Sequence, residues 1–261
     1  MEHKTWGITF SPTGGTKRVA KALLSGMSCD LSAVTWMDIC SAETDEVHGG
    51  LFSPEDVCVV AVPVFGGRIP TVASERLKCL RASGVRAVAV AVYGNRAYED
   101  ALVELMDCLD FAGFTCVAAV AAVAEHSIVR EVAAGRPDAA DERQLEDFGR
   151  RIVAKLQGGG EGIAGVVPGS RPYREYAGAP FHPKARKRAC VACGACVKVC
   201  PVAAIPSDGP WATDVERCIS CMRCVATCPA HVRSIGTIPG MVTARKLRAC
   251  KQARKENELY V

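Results

Sequence analysis

Between residues 190 and 228 the chain writes one pattern twice. Cys190, Cys193, Cys196 and Cys200 follow C-x2-C-x2-C-x3-C with Pro201 next, and Cys218, Cys221, Cys224 and Cys228 repeat it with Pro229 next, at a period of 28 residues. This spacing is that of a [4Fe–4S] run in which the fourth cysteine of each copy ligates the cluster of the other. Three thiolates from one tight loop reach three irons on one face of a cubane, and the fourth iron points away and needs a cysteine from elsewhere. One cluster is therefore assigned to Cys190, Cys193, Cys196 and Cys228, and the other to Cys218, Cys221, Cys224 and Cys200. Ala192, Gly194 and Ala195 let the first loop wrap closely, and the two prolines fix the turn after each fourth ligand. A zinc ribbon uses paired C-x2-C knuckles, not three cysteines in succession with a C-P ending.

The chain has 15 cysteines. Nothing indicates an oxidising compartment, so metal binding takes precedence over a disulfide scaffold. Cys29, Cys40, Cys58, Cys79, Cys108, Cys116 and Cys250 have no ligand-like spacing and read as small buried hydrophobes. The N-terminus lacks an apolar secretory core, and the longest apolar run, residues 116–124, falls well short of the roughly 20 residues that span a bilayer. The expectation is a cytoplasmic protein with no membrane span. Charge is uneven: residues 1–157 carry 16 Lys and Arg against 21 Asp and Glu, net −5, and residues 158–261 carry 16 against 7, net +9. Cations that offset anionic clusters account for the basic half without invoking nucleic acid. The tail 241–261 reads as a solvated helix or partner surface.

Upstream of the cysteines, β-branched runs alternate with helical periodicity. Strands are expected at 5–10, 33–39, 56–65, 86–93 and 115–124, and helices at 16–27, 71–83, 97–113 and 138–157, with Pro70 and Pro137–Asp138 as start signals. The near-continuous apolarity of residues 56–65 suits a parallel strand covered on both faces. The pattern argues for a doubly wound α/β sheet. Residues 158–180 are rich in Gly and Pro without periodicity and read as a linker. They include GEGIAG at 160–165, a formal dinucleotide fingerprint in the wrong context, after a helix instead of a strand.

The stretch Ser11, Pro12, Thr13, Gly14, Gly15, Thr16 joins the first strand to the first helix. It offers hydroxyls, glycines and a helix N-terminus, which suffice for a phosphate. By itself it fits equally a plain turn with Thr16 as N-cap. It lacks the signature of a nucleoside triphosphate loop. The strand ends also lack the acidic cluster of a response regulator.

Ser-x-Thr-Gly-x-Thr after strand one resembles the phosphate loop of flavodoxins. The cysteine segment resembles the two-cluster bacterial ferredoxins over about residues 180–240. Together, with EHS at 125–127 and AGRPD at 134–138, the chain is similar to ferredoxin–flavodoxin fusions. The resemblance implies a flavodoxin-like five-stranded parallel sheet of order 2-1-3-4-5 over residues 1–157, then a small α+β two-[4Fe–4S] ferredoxin domain over 181–240. It implies FMN beside the two clusters, with ligands gathered at the carboxyl ends of the strands. Flavin-ring contacts are then expected from Pro63, Val64, Phe65, Gly66 and Gly67 after strand three, and from Tyr93, Gly94, Asn95 and Tyr98 after strand four. His126 follows strand five as a candidate proton donor or a capping histidine. In one departure from those ferredoxins, Met222 and Arg223 stand where small residues are usual. A cation there favours the reduced cluster and sets the two potentials apart. The function implied is electron transfer among FMN, the clusters and an external redox partner, protein or small molecule. The alternatives are a flavin-dependent reductase of NAD(P)H, quinone or another small acceptor, and a flavin-free docking scaffold.

Overall fold

The computed structural model describes residues 4–27, 30–41, 50–163, 165–176, 178 and 180–261. The first half alternates strand and helix: β1 (Thr5–Thr9), α1 (Gly15–Gly26), β2 (Thr35–Asp38), β3 (Val57–Pro63), α2 (Thr71–Cys79), β4 (Val85–Tyr93), α3 (Ala101–Phe111), β5 (Phe114–Val123) and α4 (Ala139–Gln157). β1 to β5 are parallel in the order β2-β1-β3-β4-β5. This is the flavodoxin-like arrangement, with a chain reversal between β1 and β3 that opens a crevice at the strands' carboxyl ends. The central strands are apolar on both faces because two cores flank them. One packs α2 and α3 through Leu77, Leu102 and Leu105, and the other packs α1 and α4 through Leu23, Leu24, Leu145 and Ile152.

Helices α1 and α4 come together backbone to backbone. A Cβ on Gly149 would lie 2.4 Å from the Leu23 carbonyl, and one on Gly26 would lie 2.0 Å from that of Glu146. α4 opens on a capping box in which Asp138 accepts from Ala140 and Asp141 N–H while the Asp141 side chain accepts from Asp138 N–H.

The second half is small and loop-rich. It contains β6 (Lys184–Ala185), α5 (Ala195–Lys198), α6 (Arg223–Thr227), β7 (Arg233–Ser234), α7 (Thr237–Lys246), α8 (Arg248–Gln252) and β8 (Glu258–Tyr260). β6 and β7 form a two-stranded antiparallel sheet, Ala185 opposite Arg233.

Two expectations are corrected here. The sheet has six strands: β8 adds antiparallel to the edge of β5, with Tyr260 opposite Ala119 and Glu258 opposite Ala121. The end of the basic tail therefore covers an open sheet edge instead of standing in solvent. Its buried Asn257 accepts from Val123 N–H and donates to Asp141 and Gln144. Among its described residues the segment read as a linker lacks regular structure but is strapped along α3. Asp100 accepts from the N–H groups of Ser170 and Arg174, Asp107 binds Arg171 and Tyr173, and Val167 enters the core. GEGIAG opens no helix, and the next element after α4 is β6. Of the seven non-motif cysteines, Cys40, Cys58 and Cys108 are buried, Cys79, Cys116 and Cys250 are half-buried, and Cys29 lies outside the described residues.

Candidate functional site

The crevice at the carboxyl ends of the strands is an open cleft, where ligands of this architecture gather. Three loops and the start of a fourth form it. The first wraps the N-terminus of α1. Gly14 at φ 91° is the N-cap and makes no side-chain cap bond, and the first turn holds no acidic residue. Ser11 Oγ turns inward and accepts from Lys17 N–H at 2.9 Å. Pro12, Thr13, Gly15 and Thr16 border the cleft. A helix start with glycine as its N-cap, flanked by two hydroxyls, Thr13 and Thr16, fits a phosphate.

The second loop contributes Pro63, Val64, Phe65, Gly66 and Gly67. Phe65 and Arg68 exchange both backbone hydrogen bonds across Gly66 and Gly67, whose φ values are 62° and 87°. That turn requires positive φ at both central residues, hence the glycine pair. Phe65, half-buried at the rim, presents the one aromatic ring of this loop.

The third loop meets expectation unevenly. Tyr93 and Gly94 border the cleft, but Tyr93 is buried with its ring 5.4 Å from that of Tyr98. Asn95 and Tyr98 do not border it. The Asn95 amide donates to the carbonyls of Cys250 and Ala253 and accepts from Lys255 N–H. The Tyr98 hydroxyl donates to Glu258 and bonds Tyr260. Both serve the C-terminal segment, which competes for their polar groups and was not visible as a strand from its composition. Arg96 and Ala97 take their places along the rim.

After β5, Glu125, His126 and Ser127 close the far side. His126 Nδ1 accepts from the N–H groups of Ile128 and Val129, which puts the ring proton on Nε2. Burial, reinforced by Arg96, pushes the imidazole down to about 4, so it is neutral near pH 7. Gly94 must be glycine here, since a Cβ would lie 2.6 Å from the His126 ring.

The eight motif cysteines divide between two smaller cavities. Cys190, Cys193, Cys196 and Cys228 ring the first, with Val191, Val232 and Pro210. Cys200, Cys218, Cys221 and Cys224 ring the second, with Ile205, Ile219 and Met222. Each ring takes three cysteines from one copy and the fourth from the other. Among the described residues no three Cys, His, Asp or Glu converge as a single metal ion would need. Four sulfurs spread around an apolar cavity fit a multi-iron cluster better than one zinc ion. The copies also repeat in backbone: φ is positive at Ala192 and Ser220, Gly194 and Met222, Ala203 and His231, each pair 28 residues apart.

The sulfurs have donors. Ala204 N–H points to Cys200 Sγ at 3.2 Å. At Cys228 burial raises the thiol pKa, but the N–H groups of Val232, Ala230, Arg233 and His231 outweigh it and the net shift is downward. Burial pushes the Cys221 thiol up, so a thiolate there needs a cation, as iron would supply. The first cavity is the outer one, since Cys193 is exposed. The second is the inner one. Cys221 is 8% exposed and borders both the inner cavity and the cleft at the sheet.

Two of the arginines that join the halves lie at the cysteine loops. Arg223 pairs with Asp38 at 3.1 Å, and its Nη1 is buried without a hydrogen-bond partner. Buried Arg76 on α2 donates to the carbonyls of Ile39 and Pro201. Cys221 facing the cleft was not legible in the sequence, because nothing local to residues 218–224 says which part of a domain more than 100 residues away they meet.

Residues 189–232 match the family model of the 4Fe-4S dicluster domain. No curated protein matches the chain. Among solved structures the first half is similar to a flavodoxin from the domain Archaea, 18% identical, covering 59% of this chain and 99% of that one, with a TM-score of 0.41. It is also similar to an NADH:FMN oxidoreductase in its apo form, 17% identical, covering 57% and 89%, TM-score 0.38. A third is an azoreductase from Bacillus anthracis str. Sterne, 12% identical, covering 59% and 98%, TM-score 0.33. The fold assignment rests on the strand order itself. Among the described residues no helix is long and apolar enough to cross a membrane.

Proposed function

We propose that the chain is an electron-transfer protein that holds FMN in the sheet cleft and one [4Fe–4S] cluster in each cysteine-ringed cavity. When bound, the flavin exchanges one or two electrons and each cluster exchanges one. The observation that carries the reading is Cys221, a ligand position of the inner cavity that also borders the cleft. A carrier needs its redox centres close and in series, and one side chain common to two sites meets that need.

In this reading the chain's residues have separate tasks. The start of α1, with Thr13 and Thr16, binds the phosphate. Phe65 and the glycine turn cover one side of the ring. His126 offers its Nε2–H, an uncharged donor at neutral pH. Apolar side chains such as Val191, Val232, Ile205 and Ile219 keep water from the clusters and lower the dielectric around them. The outer cavity is the exit to a partner, because Cys193 is exposed and the adjoining Val191 is 68% exposed. Arg186, Lys187 and Arg188 just before it favour an acidic partner surface.

The test is composition of the anaerobically purified protein: released flavin by chromatography, with iron and acid-labile sulfide per chain. The expected result is about one FMN with roughly eight irons and eight sulfides, the content of two cubanes. Eight irons without flavin, even after incubation with FMN, would remove the cleft from the reading and leave the clusters standing.

A further inference from the structure

Arg233 is the most deeply buried charge of the second half, at 3% exposure. Guanidinium stays protonated in proteins, so a full positive charge sits in the interior. Its partners are uncharged. Nη1 donates to the Pro210 carbonyl at 2.5 Å, and Nη2 donates to those of Pro183 and Ala212 and to the Thr213 hydroxyl. Among the described residues no carboxylate lies within ion-pair distance of it, and its Nε–H is buried without any hydrogen-bond partner. A buried charge without an opposite charge is costly, and an orphan donor adds to that cost.

The missing negative charge is supplied by the cysteines. Arg233 borders the outer cavity, and its Nη1 is 3.9 Å from Cys196 Sγ. It also reaches the inner cavity. Pro183 and Thr213, to which Nη2 donates, line the inner cavity. One guanidinium thus lies between the two cysteine sets, against a sulfur of the outer one and bonded to the wall of the inner one. The 28-residue repeat sharpens the contrast. The counterpart of Arg233 in the first copy is Ile205, buried against the inner cavity, so the turn itself does not require an arginine there.

We propose that Arg233 is the shared countercharge of the two clusters, a positioning residue that stabilises the more negative reduced form of each and so holds both reduction potentials up. This rests on the two-cluster reading, which the iron and sulfide content of the unaltered protein decides separately. A cluster with four thiolates becomes one unit more negative on reduction, and a fixed cation in a low-dielectric site favours that change. The effect belongs to both clusters, in contrast to Arg223, whose charge is shared with Asp38 and which adjoins the inner cysteines alone.

The experiment is a potentiometric titration of the holoprotein and of Arg233→Gln, following the reduced clusters by electron paramagnetic resonance. Both clusters are expected to become harder to reduce, each one-electron equilibrium moving at least tenfold, which is about 59 mV. If both clusters are present in Arg233→Gln and one or neither moves, the proposal is overturned. If Arg233→Gln does not retain eight irons, Arg233→Lys decides. It keeps the charge, and it is expected to hold both clusters with both equilibria within tenfold of the unaltered protein. Larger displacement in Arg233→Lys, or loss of iron from it as well, would make Arg233 a structural strut and overturn the proposal.

Discussion

At the scale of single residues, the site depends on groups held in unusual states. His126 is the clearest. Its Nδ1 is committed to two backbone N–H groups, and its pKa is pushed down to about 4 by burial and by Arg96. The unfolded value is about 6.5. Protonation therefore favours the unfolded chain between those values. The stability due to the neutral imidazole is complete above about pH 6.5 and is lost as the pH falls towards 4. At about 1.4 kcal/mol per pKa unit, the loss is of order 2 kcal/mol by pH 5. His126→Gln is expected to remove that part of the slope, read as the urea midpoint at pH 7 and pH 5; equal pH dependence in both proteins would contradict it. The left-handed residues of the cysteine loops are a second case. Gly194 adopts its φ of 73° at no steric cost, whereas Met222, its counterpart at φ 62°, carries a side chain in a conformation that costs roughly 1–2 kcal/mol. The buried Met222 side chain closes the inner cavity, which offsets some of that strain.

At the scale of elements, the cleft depends on where α1 begins, and α1 is positioned by α4. Their contact through Gly26 and Gly149 leaves no room for a methyl group. Gly149→Ala would set a Cβ 2.4 Å from the Leu23 carbonyl and 2.7 Å from the carbonyl carbon of Gly26. Backbone cannot rotate away as a side chain can, so the helices must separate. The expected cost is about 2–3 kcal/mol, visible as a lower urea midpoint, and a midpoint equal to that of the unaltered protein would show the contact to be softer than this. β8 acts at the same scale. It covers the edge of β5 and delivers Glu258 between the hydroxyls of Tyr98 and Tyr260. Arg136 and Asp141 form a buried ion pair beside Asn257, and Arg136 also donates to the Lys255 carbonyl. The last residues thus brace the third cleft loop from behind.

At the scale of the whole molecule, the two halves are coupled through Arg76, Arg223 and Cys221. Arg76 is 3% exposed and spans from α2 to the turn after Cys200 by donating to the Ile39 and Pro201 carbonyls. Arg76→Met keeps the length and removes the donors, and a buried carbonyl left unpaired costs roughly 1–3 kcal/mol. Calorimetry of the holoprotein is expected to resolve two unfolding transitions in this variant, the cysteine-rich half melting first. A single transition at the unaltered temperature would mean that the strap along α3 and β8 suffice to join the halves.

The grouping of the cysteines around two cavities was legible in sequence because its signals are local. Cysteine spacing, the glycine and alanine positions and the 28-residue repeat act within a few residues of one another. The parallel sheet was legible for a similar reason, since apolar runs of strand length alternating with helical periodicity admit few arrangements. The glycine turn at Gly66 and Gly67 and the glycine-capped start of α1 were also readable, because each is a short backbone shape with its own residue requirements. The contacts of Asn95 and Tyr98 were not legible, because their partners lie about 160 residues further on, in a tail whose composition is basic and polar. Strand order at that edge, the meeting of Cys221 with the cleft and the burial of Arg233 beside Cys196 were likewise decided by tertiary structure. Each joins segments distant in the chain through packing and charge, and no single stretch carries that information.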